Sequence, residues 1–161
     1  MAKGDIVLRI EGKATGPIAG ESANDALPGA IDVHEWSWGM SGPSAMAASG
    51  AASKVALSEV RITKGVDRSS TALMSVMRSN EIIKKAVLTV RKSSGGKAID
   101  YLTVTLERGR ITHFDIGTVA PDEPVLVERL AIAFEKIEIA YAAQDGKGGK
   151  TASSTFTAST T

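Results

Sequence analysis

Few residues in this 161-residue chain are equipped for chemistry, and their spacing argues against catalysis. The chain has no cysteine, which removes thiol nucleophiles, disulfide frameworks and Cys-based zinc or iron–sulfur sites. Its two histidines, His34 and His113, each have an acidic neighbour, Glu35 and Asp115. A zinc site usually needs three or four converging ligands, and no spacing here forces convergence. Gly148-Gly149-Lys150-Thr151 is like the end of a phosphate-binding loop, but Gln144 stands where the motif requires its first glycine. The Ser/Thr-rich run after it favours a strand over the helix that such a loop must open. Gly39-Met40-Ser41-Gly42-Pro43 falls short of a nucleophile elbow, because Pro43 takes the last glycine position and no helical pattern follows. The acid pairs Asp122/Glu123 and Glu135/Glu138 have no sequence context that would raise a carboxyl pKa, as glycoside hydrolysis requires. These residues read as a non-enzyme with no catalytic residue, no cofactor and no bound metal.

The bulk properties narrow the partners. Nineteen basic residues stand against 18 acidic ones, a formal net charge of +1, which offers no broad field for nucleic acid or an anionic membrane. No stretch approaches the roughly 18 apolar residues that would span a bilayer, so membrane insertion is not expected. The first ten residues carry Asp5 and Arg9 within their apolar stretch and lack the apolar centre of a signal peptide. Aromatics make up only 4% of the chain, so its core is expected to be aliphatic.

The elements expected to position these residues are mostly strands. Ile6, Leu8 and Ile10 alternate along a first strand, and the Gly/Pro/Ser-rich stretch from Gly12 to Gly29 reads as a long loop. A second strand carries Ile31, Val33, Trp36 and Trp38 with a change of parity, which implies a bulge near Glu35 or burial on both faces. The two tryptophans read as packing residues. The small, uncharged run Ser41 to Ser53 reads as a projecting loop. Lys54 to Thr63 returns to β character with a parity change between Leu57 and Val60. One helix is expected at about Ser69–Ser79, with Leu73, Val76 and Met77 as its apolar stripe and Asp67 and Ser69 near its start. Ala86 to Arg91 and Tyr101 to Leu106 form a hairpin turning at Gly95-Gly96. A short strand at Ile111 to Ile116 is followed by a loop from Gly117 to Pro124. Val125 to Tyr141 reads as two collinear strands joined near Glu135, and Thr151 to Thr157 as a last strand beyond a turn at Gly146 to Gly149. The fold class is mainly β, a closed or nearly closed antiparallel β-barrel or sandwich with one flanking α-helix. All 161 residues are assigned to that single domain.

Several of these segments, taken in order, resemble the Hcp family, the tube proteins of bacterial type VI secretion. The N-terminal run Gly20-Glu21-Ser22 and Ala30-Ile31-Asp32-Val33-His34-Glu35-Trp36-Ser37-Trp38-Gly39 is similar to the family's signature, with Trp-Ser-Trp-Gly its most recognisable part. Val60-Arg61-Ile62-Thr63-Lys64, Val66-Asp67, Leu73-Met74 and Ala86-Val87-Leu88-Thr89-Val90-Arg91-Lys92 continue the likeness. So do Tyr101-Leu102, Thr105-Leu106-Glu107, Phe134-Glu135-Lys136-Ile137 and Gln144-Asp145-Gly146-Lys147. Leu27-Pro28-Gly29-Ala30 departs from the family's usual approach to the second strand, as does Ile111 to Gly117, and these departures touch subfamily and cargo.

The resemblance implies a structural subunit that assembles as a homohexameric ring. The rings stack into the inner tube and carry or chaperone effector proteins in the lumen for injection into target cells. The implied partners are the chain itself, the spike, sheath and baseplate proteins, and the effectors, with no nucleic acid. It further implies assembly in the bacterial cytoplasm and secretion without a cleavable signal peptide, and no effector domain is expected after Thr161. The loop residues Pro43, Ser44, Met46, Ala47 and Ala48 are expected to contact a neighbouring subunit or ring. The competing readings are a β-barrel that binds a small apolar ligand, and a hydrolase using His113 and Asp115.

Overall fold

The structure is a computed structural model that describes residues 6–23, 27–43, 55–94, 97–144 and 150–160. Alternating and β-branched sequence produces twelve strands and one helix among these residues. They are β1 (Ile6–Gly12), β2 (Gly16–Pro17), β3 (Ile31–Asp32), β4 (Glu35–Ser37), β5 (Met40–Ser41), β6 (Ala56–Leu57), β7 (Val60–Gly65), α1 (Ser69–Arg78), β8 (Ile83–Ser94), β9 (Lys97–Ala120), β10 (Glu123–Ala133), β11 (Lys136–Gln144) and β12 (Lys150–Ser159). Every strand pairing is antiparallel.

Two sheets share β9. Its first half lies between β8 and β11, running from Ser94↔Lys97 to Ile83↔Gly109 on one side and from Tyr141↔Leu102 to Lys136↔Glu107 on the other. β1 continues this sheet beyond β8, and β12 continues it beyond β11. The second half of β9 pairs with β10, which pairs with β7, which pairs with β4. The exchange of partners falls at Arg108, whose φ is 52°, and at Gly109. A Cβ on Gly109 would lie 2.9 Å from the carbonyl oxygen of Ala133, so only glycine allows the two backbones to come this close.

The remaining edges of the two sheets are bridged by residues 31–37. β3 sits on β1 through Leu8↔Ile31 and Val7↔Asp32. The Val33 amide then donates to the Ile6 carbonyl at 3.0 Å and the His34 amide to the Thr63 carbonyl at 2.8 Å, before β4 joins β7. The parity change between Val33 and Trp36 is therefore a crossing from one sheet to the other. The breaks at Ser58–Glu59 and Phe134–Glu135 fall where parity changes in sequence.

The core between the sheets is aliphatic, including Leu8, Ile31, Ile62, Leu73, Leu88, Leu130, Ile132 and Ile137, each at most 2% exposed. Trp36 and Trp38 pack against it half-buried. Leu73 and Val76 of α1 are buried and Met77 is half-buried, so the stripe docks the helix as expected. The helix ends at Arg78, one residue before the expected Ser79. Asp67 caps it from just outside, accepting from the Ser69 amide at 2.9 Å, while Ser70 Oγ accepts from the Asp67 amide at 2.9 Å.

Other expectations are corrected. Ile111 to Ile116 is the second half of β9 and not a separate strand, and Gly117 to Pro124 is largely strand, with only Pro121 and Asp122 turning the hairpin. Cross-strand pairing of Gly117 with Val127 and Thr118 with Leu126 overrides the turn preference of the local sequence. The stretch from Gly12 to Gly29 contains a short bridge, β2, which folds back on β1. Ser94 pairs with Lys97, as a tight hairpin requires; residues 95–96 and the expected turn at 146–149 lie outside the described residues.

Two polar anchors hold α1 and its flanks. Lys64 and Glu128 are cross-strand partners on the inner face of the second sheet, and both side chains are fully buried. Lys64 Nζ donates to Glu128 Oε1 at 2.8 Å, Asp67 Oδ1 at 3.1 Å and the Gly65 carbonyl at 2.9 Å. A buried pair costs desolvation, but removing one partner strands a charge in the core. Lys64→Met is therefore expected to lower unfolding free energy by about 3–5 kcal/mol. Lys64→Met combined with Glu128→Leu should recover most of that loss, as read by urea denaturation.

After the helix, Glu81 ties down the β1–β2 turn. Its carboxylate accepts from the Thr15 amide at 2.8 Å, the Thr15 hydroxyl at 2.8 Å and the Ala14 amide at 3.0 Å. The Thr15 amide, then the Thr15 hydroxyl, hold its pKa below the ordinary glutamate value, with partial desolvation opposing them and the Ala14 amide adding to them. A depressed folded-state pKa gives stability that is present above the unfolded pKa and lost as pH falls through the folded one. The native chain should thus lose more stability than Glu81→Gln between neutral and acidic pH, measured by urea unfolding across that range.

Candidate assembly surface

The residues equipped for chemistry do not converge on one site, although His113 and Asp115 meet as a pair. His34 lies exposed in the crossing between β3 and β4, against Gly65. His113 lies on β9, its Nε2 2.7 Å from Asp115 Oδ2, with both side chains about half exposed. No group of three or more His, Asp or Glu among the described residues is placed to hold a metal. Met40 and Ser41 form a short exposed strand paired with β6, which is not the strained strand-to-helix turn of a nucleophile elbow. Lys150 and Thr151 open β12, a strand and not a phosphate-binding helix. Asp122 is exposed in the hairpin turn beside Glu123, and Glu135 pairs with Arg108 at 2.7 Å on the surface.

What the fold does present is unpaired strand edge. β12 pairs with β11 alone among the described residues, leaving a ten-residue outer edge. From Thr151 to Ser159 that strand has no charged residue and no proline. Soluble monomers usually protect an edge of this length with lysine, proline or a bulge. Phe156 stands 40% exposed on β12 and leans on Trp38, with ring centroids 6.3 Å apart. The second half of β9 also has one edge without a strand partner among the described residues, since only β10 pairs there. Its hairpin with β10 exposes Ile116, Val119, Val125 and Leu126, each between 46% and 53%. This arrangement has the character of a surface that meets other protein.

Of the loop residues expected to make contacts, Pro43 is exposed beyond β5, at the end of a described segment. Ser44, Met46, Ala47 and Ala48 lie outside the described residues. Sequence reading passed over the β12 edge, although the absence of charge from Thr151 to Ser159 was a usable signal.

Residues 7–141 match the family model described as "Type VI secretion system effector, Hcp". The chain belongs to the Hcp family. Among curated Hcp proteins, Protein hcp1 of Pseudomonas aeruginosa is 33% identical over 97 residues, covering 60% of this chain. The aligned part spans 59% of that relative's length. The fold matches solved Hcp structures over nearly the whole chain. A type six secretion system protein superposes with a TM-score of 0.81 at 19% identity, covering 96% of each chain. Hcp1 from E. coli EAEC 042 gives 0.76 at 19% identity, covering 96% of this chain and 98% of that one. A type VI secretion system effector from Yersinia pestis gives 0.74 at 21% identity, covering 96% and 99%. The Hcp family is one of type VI secretion, and no helix among the described residues is long and apolar enough to cross a membrane.

Proposed function

We propose that this Hcp chain is a non-enzymatic subunit of the type VI inner tube: a closed barrel that assembles into six-membered rings. The rings stack, and their lumen carries effector proteins; spike, sheath and baseplate proteins are the other partners. The observation that carries this reading is the long outer edge of β12, uncharged from Thr151 to Ser159, together with an unlike second edge on the latter half of β9 that has no strand partner among the described residues. An edge that pairs with a different edge on the next copy makes a heterologous contact, and such contacts close into rings when the rotation allows. The hydrogen-bonded circuit from β9 through β8, β1, the 31–37 crossing, β7 and β10 back to β9 supports barrel closure within one subunit. Secretion without a cleavable signal, after assembly in the cytoplasm, belongs to the same reading, as does a single domain over all 161 residues.

Light scattering on a sizing column tests the ring. A closed six-fold ring of this 16.7 kDa chain has a mass of about 100 kDa, and negative stain should show a central hole. Thr155→Lys combined with Thr157→Lys places charge on the exposed β12 strand and should shift the protein toward monomer without changing its helix or sheet content. A native chain that runs as a monomer or a dimer would overturn the ring.

We assign stacking to the small-residue loop, with Pro43, Ser44, Met46, Ala47 and Ala48 as its contact residues. Ala47→Asp with Ala48→Asp should leave rings intact and shorten or abolish tubes in electron micrographs. Tubes of unchanged length would remove the loop from stacking.

A further inference from the structure

The solvent face of the second sheet carries two adjacent rows of cross-strand partners. One row is Glu35, Thr63, Arg129 and Asp115; the next is Ser37, Arg61, Ala131 and His113. Directly paired side chains share a face, and diagonal neighbours stand about 7–8 Å apart, within reach of long side chains. Arg61 and Arg129 are diagonal neighbours, and both are next to Thr63. A recess of about 230 Å³ opens at this point, with Arg61, Thr63, Arg129, Glu35, Ser37 and Asp115 in its lining.

The guanidiniums keep most of their donors unspent. The Arg61 guanidinium makes no hydrogen bond or ion pair with any described residue, while its backbone is held in the β7 ladder. Arg129 Nη1 lies 3.7 Å from Asp115 Oδ1, beyond hydrogen-bonding distance, while Asp115 is engaged by His113 at 2.7 Å. Two planar forks beside one hydroxyl suit a carboxylate, which guanidinium binds through parallel N–H···O bonds. The ends of the row select against larger anions. Glu35 closes one end and Asp115 the other, so a run of phosphates laid across the recess would meet carboxylates on both sides.

We propose that this recess binds a single carboxylate side chain of an extended polypeptide segment from a partner protein, held by Arg61 and Arg129 over the Thr63 hydroxyl. The site lies wholly within one chain, although its Asp115 end belongs to the half of β9 that the proposed function gives to the ring contact; peptide binding, and not the oligomeric state, decides it.

Fluorescence anisotropy on the intact protein tests it. The probe is a rhodamine-labelled Ala/Ser peptide with blocked ends and one central glutamate, compared with the same peptide carrying glutamine. The glutamate peptide should bind, more weakly as salt rises. The glutamine peptide, and the Arg61→Gln and Arg129→Gln variants, should each bind about tenfold more weakly, as losing a charged hydrogen bond implies. Glu35→Gln should bind the glutamate peptide more tightly, by removing a repelling charge. Both arginines are on the surface, and an unchanged thermal midpoint shows that their variants remain folded. No binding of the glutamate peptide at millimolar concentration, equal binding of the two peptides, or native binding by both arginine variants would overturn the proposal. Displacement of the peptide by an oligothymidylate at lower concentration than by free glutamate peptide would overturn its choice of partner.

Discussion

The Glu135 amide donates to the carbonyls of Glu107 and Arg108, at the point where β9 leaves one sheet for the other. A backbone group in a sheet must find a partner or water, and this requirement governs how a 24-residue strand can serve both sheets. The first half of β9 is satisfied on both sides by β8 and β11. Its second half is satisfied on one side by β10. The left-handed backbone at Arg108 and the bare Cα of Gly109 make the exchange possible, and the β10–β11 break follows opposite them. The crossing of residues 31–37 answers the same demand at the far edges. The aliphatic core is enclosed as a consequence of these pairings.

Within that frame, Lys64 and Glu128 are charged groups buried in a largely apolar interior. The pair couples β7 and β10 to the start of α1 through Asp67, whose carboxylate also holds the Ser69 amide. A hydrophobic pair of similar volume would fill this space with less desolvation cost. The ionic version constrains where the helix begins relative to the sheet, because one ammonium must reach Glu128, Asp67 and the Gly65 carbonyl together. Specificity of the helix dock, and not stability as such, is the property this pair best explains.

Much of the fold was legible in the residues. Alternation placed β1, β11 and the first half of β9, the Gly95-Gly96 hairpin pattern placed β8, and the 3.6-residue stripe of Leu73, Val76 and Met77 placed the helix. Parity breaks near Glu35, Leu57 and Glu135 marked real discontinuities, though not that two of them pass the chain between sheets. The Gly117 to Pro124 stretch misled because its turn-prone residues are held extended by partners on β10, which local sequence cannot reveal. Lys64 and Glu128 share parity with Val60, Ile62, Leu130 and Ile132, so their phase alone placed them inward. Their charge spoke for the surface, and only the pairing of β7 with β10 brings the two opposite charges together. The polar recess was hidden for the same reason: Arg61, Thr63 and Arg129 belong to different strands and become neighbours through register.

The two free edges are unlike in sequence, one a Ser/Thr strand at the end of the first sheet and the other half of β9 in the second. Joining unlike edges head to tail creates no two-fold axis between neighbours. A ring made this way has two different faces. A column of such rings stacked in one sense has a distinguishable front and back. Growth at its two ends then proceeds against different surfaces, so a single nucleating partner can set the direction in which the whole column points.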